Sequence, residues 1–133
     1  MNSSNEIGKM PVGHKFDSVE YTVSKEDVNN YILAIGNPSD FYYSGEISPP
    51  TALLAFALRT VMAEIHLPEG SIHVSQEMNC YAPIYNNDKV ILSGSISQNS
   101  SRSGWRYLTF EISVESSGQV GLLSGKSTIL VPE

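Results

Sequence analysis

One continuous apolar stretch limits what this chain can fold into. It follows Pro50 and runs from Thr51 to about Leu67, and its only charged residues are Arg59 and Glu64. Proline suits the first turn of a helix, where its missing N–H is not needed. A helix that is apolar on nearly every face has to be buried on nearly every face. The stretch therefore predicts a long buried helix, and it is too short to span a bilayer.

Regular alternation of apolar and polar residues predicts strands after this helix. The alternation occupies four segments: 72–80, 90–96, 108–114 and 123–131. Turn-forming residues separate them, namely NND at 86–88, SSRSG at 100–104 and SSGQ at 116–119. Alternation bounded by such residues is typical of antiparallel strands that follow one another in space. We therefore predict four strands in antiparallel succession, with Cys80 as a small core residue.

A first strand and a short helix are predicted before the long helix. Residues 14–23 (HKFDSVEYTV) form the strand, although their alternation is imperfect. Ser24 can cap the helix, with Asp27 in the place of the capping-box acid. Gly36, followed by Pro38, ends it. The predicted buried face carries these residues: Val28, Tyr31, Ile32 and Ile35.

This order of elements is satisfied by one antiparallel sheet wrapped around one buried helix. We therefore predict an α+β fold of the hot-dog type, a single domain over residues 1–133. The first residues are polar, and roughly 1–12 are expected to form a loose N-terminal segment.

Composition narrows the possible partners. The chain has 133 residues, a formal net charge of −6 and no basic patch, so neither nucleic acid nor an anionic membrane surface is an expected partner. A single cysteine allows no internal disulfide, and the first residues lack the apolar core of a signal peptide, so we expect a cytoplasmic location. The three histidines are far apart and have no metal-ligand spacing. We expect no metal and no cofactor.

Four segments carry a resemblance to a known family. They are VSKEDVNNYILAIGNP (23–38), SPPTALL (48–54), HVSQEMNCYAPIYNNDKVILSGSI (73–96) and GLLSGKSTILVP (121–132). Together they resemble the MaoC-like branch of the hot-dog superfamily, especially its N-terminal, FAS1-type dehydratase half. The resemblance implies an acyl thioester of coenzyme A or acyl carrier protein as substrate. It also implies lyase-type chemistry, the hydration of a trans-2-enoyl chain or the reverse dehydration.

The catalytic residues of that family do not all recur here. Active members use an Asp and a His in the pattern G-D-x-N-P-x-H, and aligned on Gly36 these positions hold Asn37 and Tyr42. An amide is no general base, and a phenol with a pKa near 10 is a poor proton shuttle at neutral pH. Asp40 is close enough in sequence to stand in for the family carboxylate, although a turn-forming role is the simpler reading. The candidate catalytic residues are thus Asp40, Asn37 and Tyr42.

The resemblance also indicates a substrate-binding region. Active members place backbone N–H donors for the thioester oxygen where the long helix begins. Here Pro49 and Pro50 remove two donors, which leaves the N–H groups of Thr51 and Ala52. Aromatic residues beside the loop and the YAPIY segment either line a ligand pocket or pack a dimer seam. The remaining substrate-binding candidates are therefore Tyr43, Tyr81 and Tyr85, together with Pro50.

These features favour a catalytically degenerate subunit that binds an acyl chain and supports a partner, as a homodimer or as a heterodimer with another hot-dog subunit. One alternative is an enzyme in its own right, either a hydratase that uses Asp40 or a thioesterase that uses Glu64. Another is a non-enzymatic ligand-binding module, because a fold does not imply a function. Arg102 and Arg106 are candidates for a coenzyme A phosphate contact, although an ordinary hairpin tip explains them as well.

Overall fold

Seven strands and two helices are defined in the parts of the chain that the computed structural model describes, residues 7–36, 46–118 and 120–133. The helices are α1 (Lys25–Ile35) and α2 (Pro50–Met62). The strands are β1 (Val19–Thr22), β2 (Ile47–Ser48), β3 (Ile72–Cys80), β4 (Ile84–Tyr85), β5 (Lys89–Arg102), β6 (Trp105–Ser116) and β7 (Gly121–Pro132).

Five strands form one antiparallel sheet in the order β1-β5-β6-β7-β3, and β2 and β4 form a separate two-stranded ladder. The predicted antiparallel succession therefore holds for β5, β6 and β7 but is wrong for β3, which pairs with β7 at the far edge. Alternation identifies a strand and its buried face, but it does not identify the neighbouring strand.

Helix α2 packs across the strands in two notches made by glycine. Gly94, Ile112 and Gly125 form one row across β5, β6 and β7. A Cβ on Gly125 would lie 2.5 Å from Leu54 Cδ1, and a Cβ on Gly94 would overlap Val61 Cγ2. Seven residues of helix span about 10 Å, and two strand spacings also span about 10 Å. The helix therefore runs along this row, from β7 towards β5.

The long helix is shorter than its sequence predicts. It ends at Met62 with Ala63 as its C-cap, rather than near Leu67. The backbone then continues through two tighter turns, in which Glu64 N–H donates to Val61 O and Ile65 N–H donates to Met62 O. These turns return Ile65 to the core at 7% exposure. Within α2 itself, the fully or nearly fully buried residues are Ala52, Leu53, Leu54, Phe56, Ala57 and Val61.

Helix α1 has the predicted caps. Ser24 Oγ accepts the N–H of Asp27 at 3.2 Å, and Gly36 closes the helix at a φ of 70°. Val28 and Ile32 are buried, but Ile35 is 54% exposed, so its predicted place on the buried face is wrong. Ile35 is the last residue of the helix, directly before the Gly36 cap.

The first strand is shorter than predicted. Only Val19–Thr22 belongs to β1, and residues 13–16 pair separately with β5 through a bridge between Lys15 and Ser95. Phe16 N–H donates to Gly94 O at 2.9 Å in this second pairing. The chain therefore extends the edge of the sheet in two pieces, with residues 17 and 18 between them.

Part of the N-terminal segment is packed rather than loose. Ile7 is 2% exposed, and Asn99 Nδ2 donates to the carbonyl oxygens of Ile7 and Met10 at 2.8 Å each. Arg106 Nη1 donates to Asn99 Oδ1 at 2.8 Å and orients the amide. Ile7 makes no periodic apolar pattern with its neighbours in sequence. No pattern in the sequence therefore indicates that Asn99 holds this segment.

The buried faces of β5 and β6 are as predicted, but β3 has no buried face. Val90, Leu92 and Ile96 are buried, and so are the alternating residues of β6, Leu108, Phe110, Ile112 and Val114. In β3 every residue except Met78 is exposed. Cys80 was predicted to be a core residue, which is wrong, because it is an exposed thiol on this edge strand.

Candidate functional site

The start of α2 holds fewer free donors than the sequence predicts. Pro49 and Pro50 have no N–H, and Ala52 N–H donates to Pro49 O at 3.0 Å. Thr51 is exposed, and its N–H has no acceptor among the described residues. Only one of the two expected donors is therefore available to a ligand. A pair of preorganised donors is what stabilises an oxyanion most effectively, so this helix start is a weak site for that charge.

The β2–β4 ladder fixes the backbone that leads into α2. Ser48 pairs with Ile84 and both are buried, whereas Ile47 pairs with Tyr85, which is 43% exposed. Tyr85 N–H donates to Asp88 Oδ2 at 3.0 Å, which closes the predicted turn at 86–88. Tyr85 therefore lies on the outward side of the ladder, where a partner or a ligand can reach its ring.

Tyr81 lies apart from the helix start. It is 64% exposed, and its hydroxyl shares a hydrogen bond of 2.9 Å with Ser124 Oγ. Leu123 and Gly125 face α2, so by strand alternation Ser124 faces the opposite side of the sheet. The Tyr81 hydroxyl is thus directed to the outer face, and the structure does not bring it together with Pro50, Thr51 and Ala52.

The remaining candidates, Asn37, Asp40, Tyr42 and Tyr43, lie outside the described residues. The chain on either side of them is fixed. Gly36 closes α1, and Glu46 O accepts the N–H of Asn86 at 2.6 Å.

An aromatic cluster covers one flank of α2, and sequence reasoning missed it. Tyr21 OH donates to Asp27 Oδ2 at 2.6 Å, and its ring meets Phe56 at a centroid distance of 5.7 Å. Tyr31 meets the same phenylalanine at 6.2 Å, and the Arg59 guanidinium lies 5.3 Å from the centre of its ring. Burial, followed by the hydrogen bond to Asp27, raises the pKa of Tyr21 to about 12. The cluster joins β1, α1 and α2 through a phenol that stays protonated.

The opposite flank of α2 is open. Thr51, Ala55 and Leu58 follow one another at helical spacing there, and each is exposed or half-buried. The neighbouring edge strand β3 pairs only with β7 among the described strands. Its helix-facing residues in the regular part of the strand are Gln76, Met78 and Cys80, which lie opposite Ser127, Gly125 and Leu123. One flank of α2 and the neighbouring edge strand β3 are therefore both accessible at the surface.

Glu64 does not join the site at the helix start. It lies beyond the C-terminal end of α2, about 20 Å from Pro50 by helical rise. It is exposed, and its Oε2 accepts the N–H of Asp17 at 3.1 Å. A structural contact with the N-terminal region therefore explains it, and the geometry gives no support to a thioesterase acid at this position.

Arg106 is engaged within the chain. Its Nε lies 2.7 Å from Glu133 Oε1, an ion pair by distance although the N–H is not aligned for a hydrogen bond. Its other contact is with Asn99, as described above. A side chain held in this way attaches the N-terminal segment to the β5–β6 hairpin, and it is not free to bind a coenzyme A phosphate.

Among the described residues, no group of three or more His, Cys, Asp or Glu side chains is placed to hold a metal ion. His73 Nε2, for example, lies 3.1 Å from the Ser75 carbonyl oxygen. Neither α1 nor α2 has the length and apolar character needed to cross a membrane.

A groove of about 860 Å³ lies on the outer face of the sheet, away from α2. Small polar side chains form its floor, and two of them, Ser93 and Ser113, share a hydrogen bond of 2.6 Å. Glu111 and Lys126 cross it as an exposed ion pair at 3.7 Å. Antiparallel sheets commonly have one such solvated face, so the size of the groove does not make it the functional site.

The fold and the site together define a hot-dog domain whose open surface lies beside the start of its long helix. The sequence matches the family described as FAS1-like, dehydratase domain region, over residues 11–117. The chain therefore belongs to this family, and the predicted MaoC-like hot-dog dehydratase/hydratase relationship is confirmed. No curated protein sequence matches it.

Solved structures of low sequence identity share the fold. The unliganded R-hydratase PhaJ1 from Pseudomonas aeruginosa aligns with a TM-score of 0.74 at 12% identity, over 96% of this chain and 85% of that one. The HadBC (3R-hydroxyacyl-ACP dehydratase) complex from Mycobacterium tuberculosis aligns with a TM-score of 0.74 at 14% identity, over 90% and 96%. The (R)-hydratase from A. caviae gives 0.69 at 16% identity, over 93% and 98%. The predicted α+β hot-dog fold is thereby confirmed.

Proposed function

We propose that this chain is a MaoC-like subunit that binds an acyl thioester of coenzyme A or acyl carrier protein and supports a catalytic hot-dog partner. The observation that carries the proposal is the small number of free backbone N–H donors at the start of α2. Two prolines and the bond from Ala52 N–H to Pro49 O leave Thr51 N–H as the available donor. A chain that binds a thioester without stabilising its oxyanion needs fewer donors than an enzyme does.

The acid–base residues support the same proposal. Hydration of an enoyl thioester requires that a water lose a proton as it attacks C3 and that C2 gain one. Asn37 and Tyr42 occupy the positions that the family resemblance, aligned on Gly36, assigns to an Asp and a His. Neither side chain exchanges protons readily near neutral pH. The partner would then supply both groups, and this chain would contribute a wall of the acyl site.

The exposed edge of the sheet is the proposed contact with the partner. Strand β3 is exposed along nearly its whole length, and Val74 within it is 49% exposed. An unprotected edge strand readily pairs with a strand of another chain. Two structures of the same fold, HadBC and ChsH1–ChsH2 from Mycobacterium tuberculosis, are complexes of two different subunits. We propose a dimer of hot-dog subunits, and a heterodimer in particular, located in the cytoplasm.

Hydration of crotonyl-CoA tests the proposal. The purified chain is assayed alone and together with a hot-dog partner that carries the intact Asp and His, and thioester binding is measured by calorimetry in both cases. We expect turnover only with the partner, and thioester binding that strengthens in its presence. Co-elution in size-exclusion chromatography with light scattering reports the dimer.

Two variants separate the alternatives. Robust turnover by the chain alone, lost in Asp40→Asn, would show an independent hydratase and refute the proposal. Hydrolysis of the thioester that is lost in Glu64→Gln would show a thioesterase instead. If no thioester binds with or without the partner, only a non-enzymatic module with a different ligand is left.

A further inference from the structure

One end of the outer face of the sheet is apolar. Tyr107 on β6 pairs with Leu130 on β7, and Trp105 pairs with Pro132 in the same way. Leu108 faces the core, so by strand alternation these four side chains lie on the outer face. All four are half-buried, and we call them the apolar patch. The outer face of a solvated antiparallel sheet is normally polar, and a contiguous apolar patch on it often marks a contact with another protein.

A row of alternating charge crosses the same face about 13 Å along the strands from Tyr107. Glu77 on β3 pairs with Lys126 on β7, which pairs in turn with Glu111 on β6. The Lys126 ammonium lies 3.7 Å from a Glu111 carboxylate oxygen, and about half of each side chain is exposed. Beside Glu111 lies Ser95 on β5, which forms a bridge with Lys15. The charges of this row therefore run negative, positive, negative, neutral and positive.

The surface between the apolar patch and the charged row is already satisfied. The Thr109 hydroxyl donates to Gln98 Oε1 at 3.1 Å and lies 2.9 Å from Thr128 Oγ1. A second surface can therefore cover these small side chains without leaving a hydroxyl unpaired. The groove on the outer face begins at the charged row and extends away from the apolar patch, so it borders this surface and can hold interfacial water.

We propose that this face binds the same face of a second copy of the chain, about a two-fold axis that runs along the strands between β6 and β7. Rotation about that axis exchanges the two strands. Each Lys126 then faces Glu111 of the other copy, and each Leu130 faces Tyr107 of the other copy. The contact is thus self-complementary in charge and in apolar surface, as an isologous interface has to be.

Charge complementarity selects both the occupant and the axis. An axis over β7 would place Lys126 opposite Lys126 of the other copy, and an axis over β6 would place two Glu111 side chains opposite each other. Such like-charged pairs oppose association strongly. Only the axis between the two strands turns Lys126 and Glu111 into two attractive pairs.

The geometry of packed sheets preserves these pairs. Two packed sheets keep their strands within about 30° of each other and lie about 10 Å apart, which extended lysine and glutamate side chains can span together. Tyr107 and Glu111 are each about 7 Å from Thr109 along β6. A crossing of 30° centred on Thr109 shifts both rows sideways by about 3 Å, less than the strand spacing of about 4.8 Å.

This contact goes beyond the proposed function and is compatible with it. The contact proposed for β3 uses the edge of the sheet, whereas this one uses its outer face. A chain bound to a hot-dog partner through β3 can therefore also bind a second copy. The complete assembly would then contain two copies of this chain and two partners.

The single tryptophan of the chain, Trp105, reports on the contact directly. Its neighbours across the sheet are Arg102 and Pro132, so association through β3 does not cover it. Analytical ultracentrifugation and tryptophan fluorescence are measured on the full chain from about 0.1 to 100 µM, the range expected of an ordinary interface. We expect the mass to double as the emission shifts to shorter wavelength and acrylamide quenching falls.

Exchange of the two charges tests the axis. Lys126→Glu and Glu111→Lys each place like charges across both cross-chain pairs, and each should weaken self-association about ten-fold or more. In an equimolar mixture of the two variants, opposite charges face each other again, so the dimer and the blue shift should return. That recovery also shows that both variants are folded. Glu20→Lys is the matched control, since it makes the same change of charge on the far edge strand β1 and should associate like the wild type.

The outcomes separate this inference from the proposed function. A chain that stays monomeric, or that dimerises without a change in Trp105 emission, overturns the inference and leaves the contact through β3 standing. Dimers that persist in both single variants, or a mixture that does not recover, overturn it as well. A concentration-dependent shift of Trp105 that the mixture restores supports the inference, even where no catalytic partner and no thioester binds and the proposed function fails.

Discussion

Replacing Gly94 by alanine places a methyl group where Val61 Cγ2 already lies. The new Cβ would also lie 3.2 Å from Ile112 Cδ1 and 3.4 Å from the Glu111 carbonyl oxygen. Val61 is β-branched and confined by the helix to essentially one rotamer, so its methyl cannot rotate away. The clash is therefore relieved only if α2 moves away from the sheet, which separates buried side chains along the whole helix.

The expected loss follows from two opposing terms. Overpacking a core typically costs about 1–3 kcal/mol, and the stiffness of Val61 favours the upper end of that range. Alanine also restricts the unfolded chain, which recovers about 0.4–1 kcal/mol. We expect Gly94→Ala to lower the free energy of unfolding by about 2 kcal/mol. For a chain of 133 residues this corresponds to a fall in melting temperature of about 8 °C.

Urea unfolding at one fixed protein concentration measures this loss, because self-association would otherwise change the apparent stability. Gly121→Ala is the control, since a Cβ there meets nothing within 4 Å. Val61→Ala vacates the contested space, so in Gly94→Ala/Val61→Ala the new methyl fills part of the cavity. The double variant should be about 1–2 kcal/mol more stable than the two single effects predict. Strictly additive effects of the two substitutions, or a Gly94→Ala effect as small as that of Gly121→Ala, would refute the close packing of Val61 on Gly94.

Two further predictions concern other contacts. Asn99→Ala should destabilise the fold by about 1–2 kcal/mol and open residues 7–10 to limited proteolysis, because both backbone carbonyls lose their donor. Asn99→Asp keeps the size of the side chain and its bond from Arg106, but a carboxylate cannot donate to the two carbonyls. It should therefore release the segment as well. Because folding raises the pKa of Tyr21 from 10.0 to about 12, its contribution to stability is present below pH 10 and is lost as the pH rises towards 12. Unfolding midpoints measured across this alkaline range should fall less steeply in Tyr21→Phe, and parallel slopes would contradict the assignment.

The local features of the fold could be predicted from the sequence. The caps of α1 at Ser24 and Gly36 depend on residues a few positions apart, and so does the alternation that buries Leu92 and Phe110. Each of these is decided by interactions that follow the chain itself. The same holds for the hot-dog order of elements, because one apolar helix and a set of amphipathic strands have few ways to bury their surfaces.

The features that the sequence did not predict depend on contacts between distant residues. Asn99 is separated by about ninety positions from the carbonyls that it binds, and no pattern marks such a pair. Strand β3 lies at the edge of the sheet because it pairs with β7, and Cys80 is exposed on this edge strand. At the site, the bond from Ala52 N–H to Pro49 O removed a donor that the count of prolines alone had left available.

The two glycine notches lie beneath opposite ends of α2. Substitutions in them should therefore affect the stability of the fold and the affinity for a thioester to different degrees. The notch at Gly125 lies beneath Leu54, one turn from the proposed thioester site, whereas the notch at Gly94 lies beneath Val61 at the far end. Leu54 Cδ1 is the end of a flexible side chain, so Gly125→Ala should cost only about 1 kcal/mol of stability. Because Leu54 is fully buried, its side chain can give way only in part, and the rest of the displacement falls on the helix one turn from Thr51 N–H. A small shift of a donor weakens binding strongly. We therefore expect Gly125→Ala to reduce thioester affinity more than Gly94→Ala, although it destabilises the fold less. Calorimetric titration of octanoyl-CoA into both variants checks the order, and affinity losses that simply follow the stability losses would contradict a site at the start of α2.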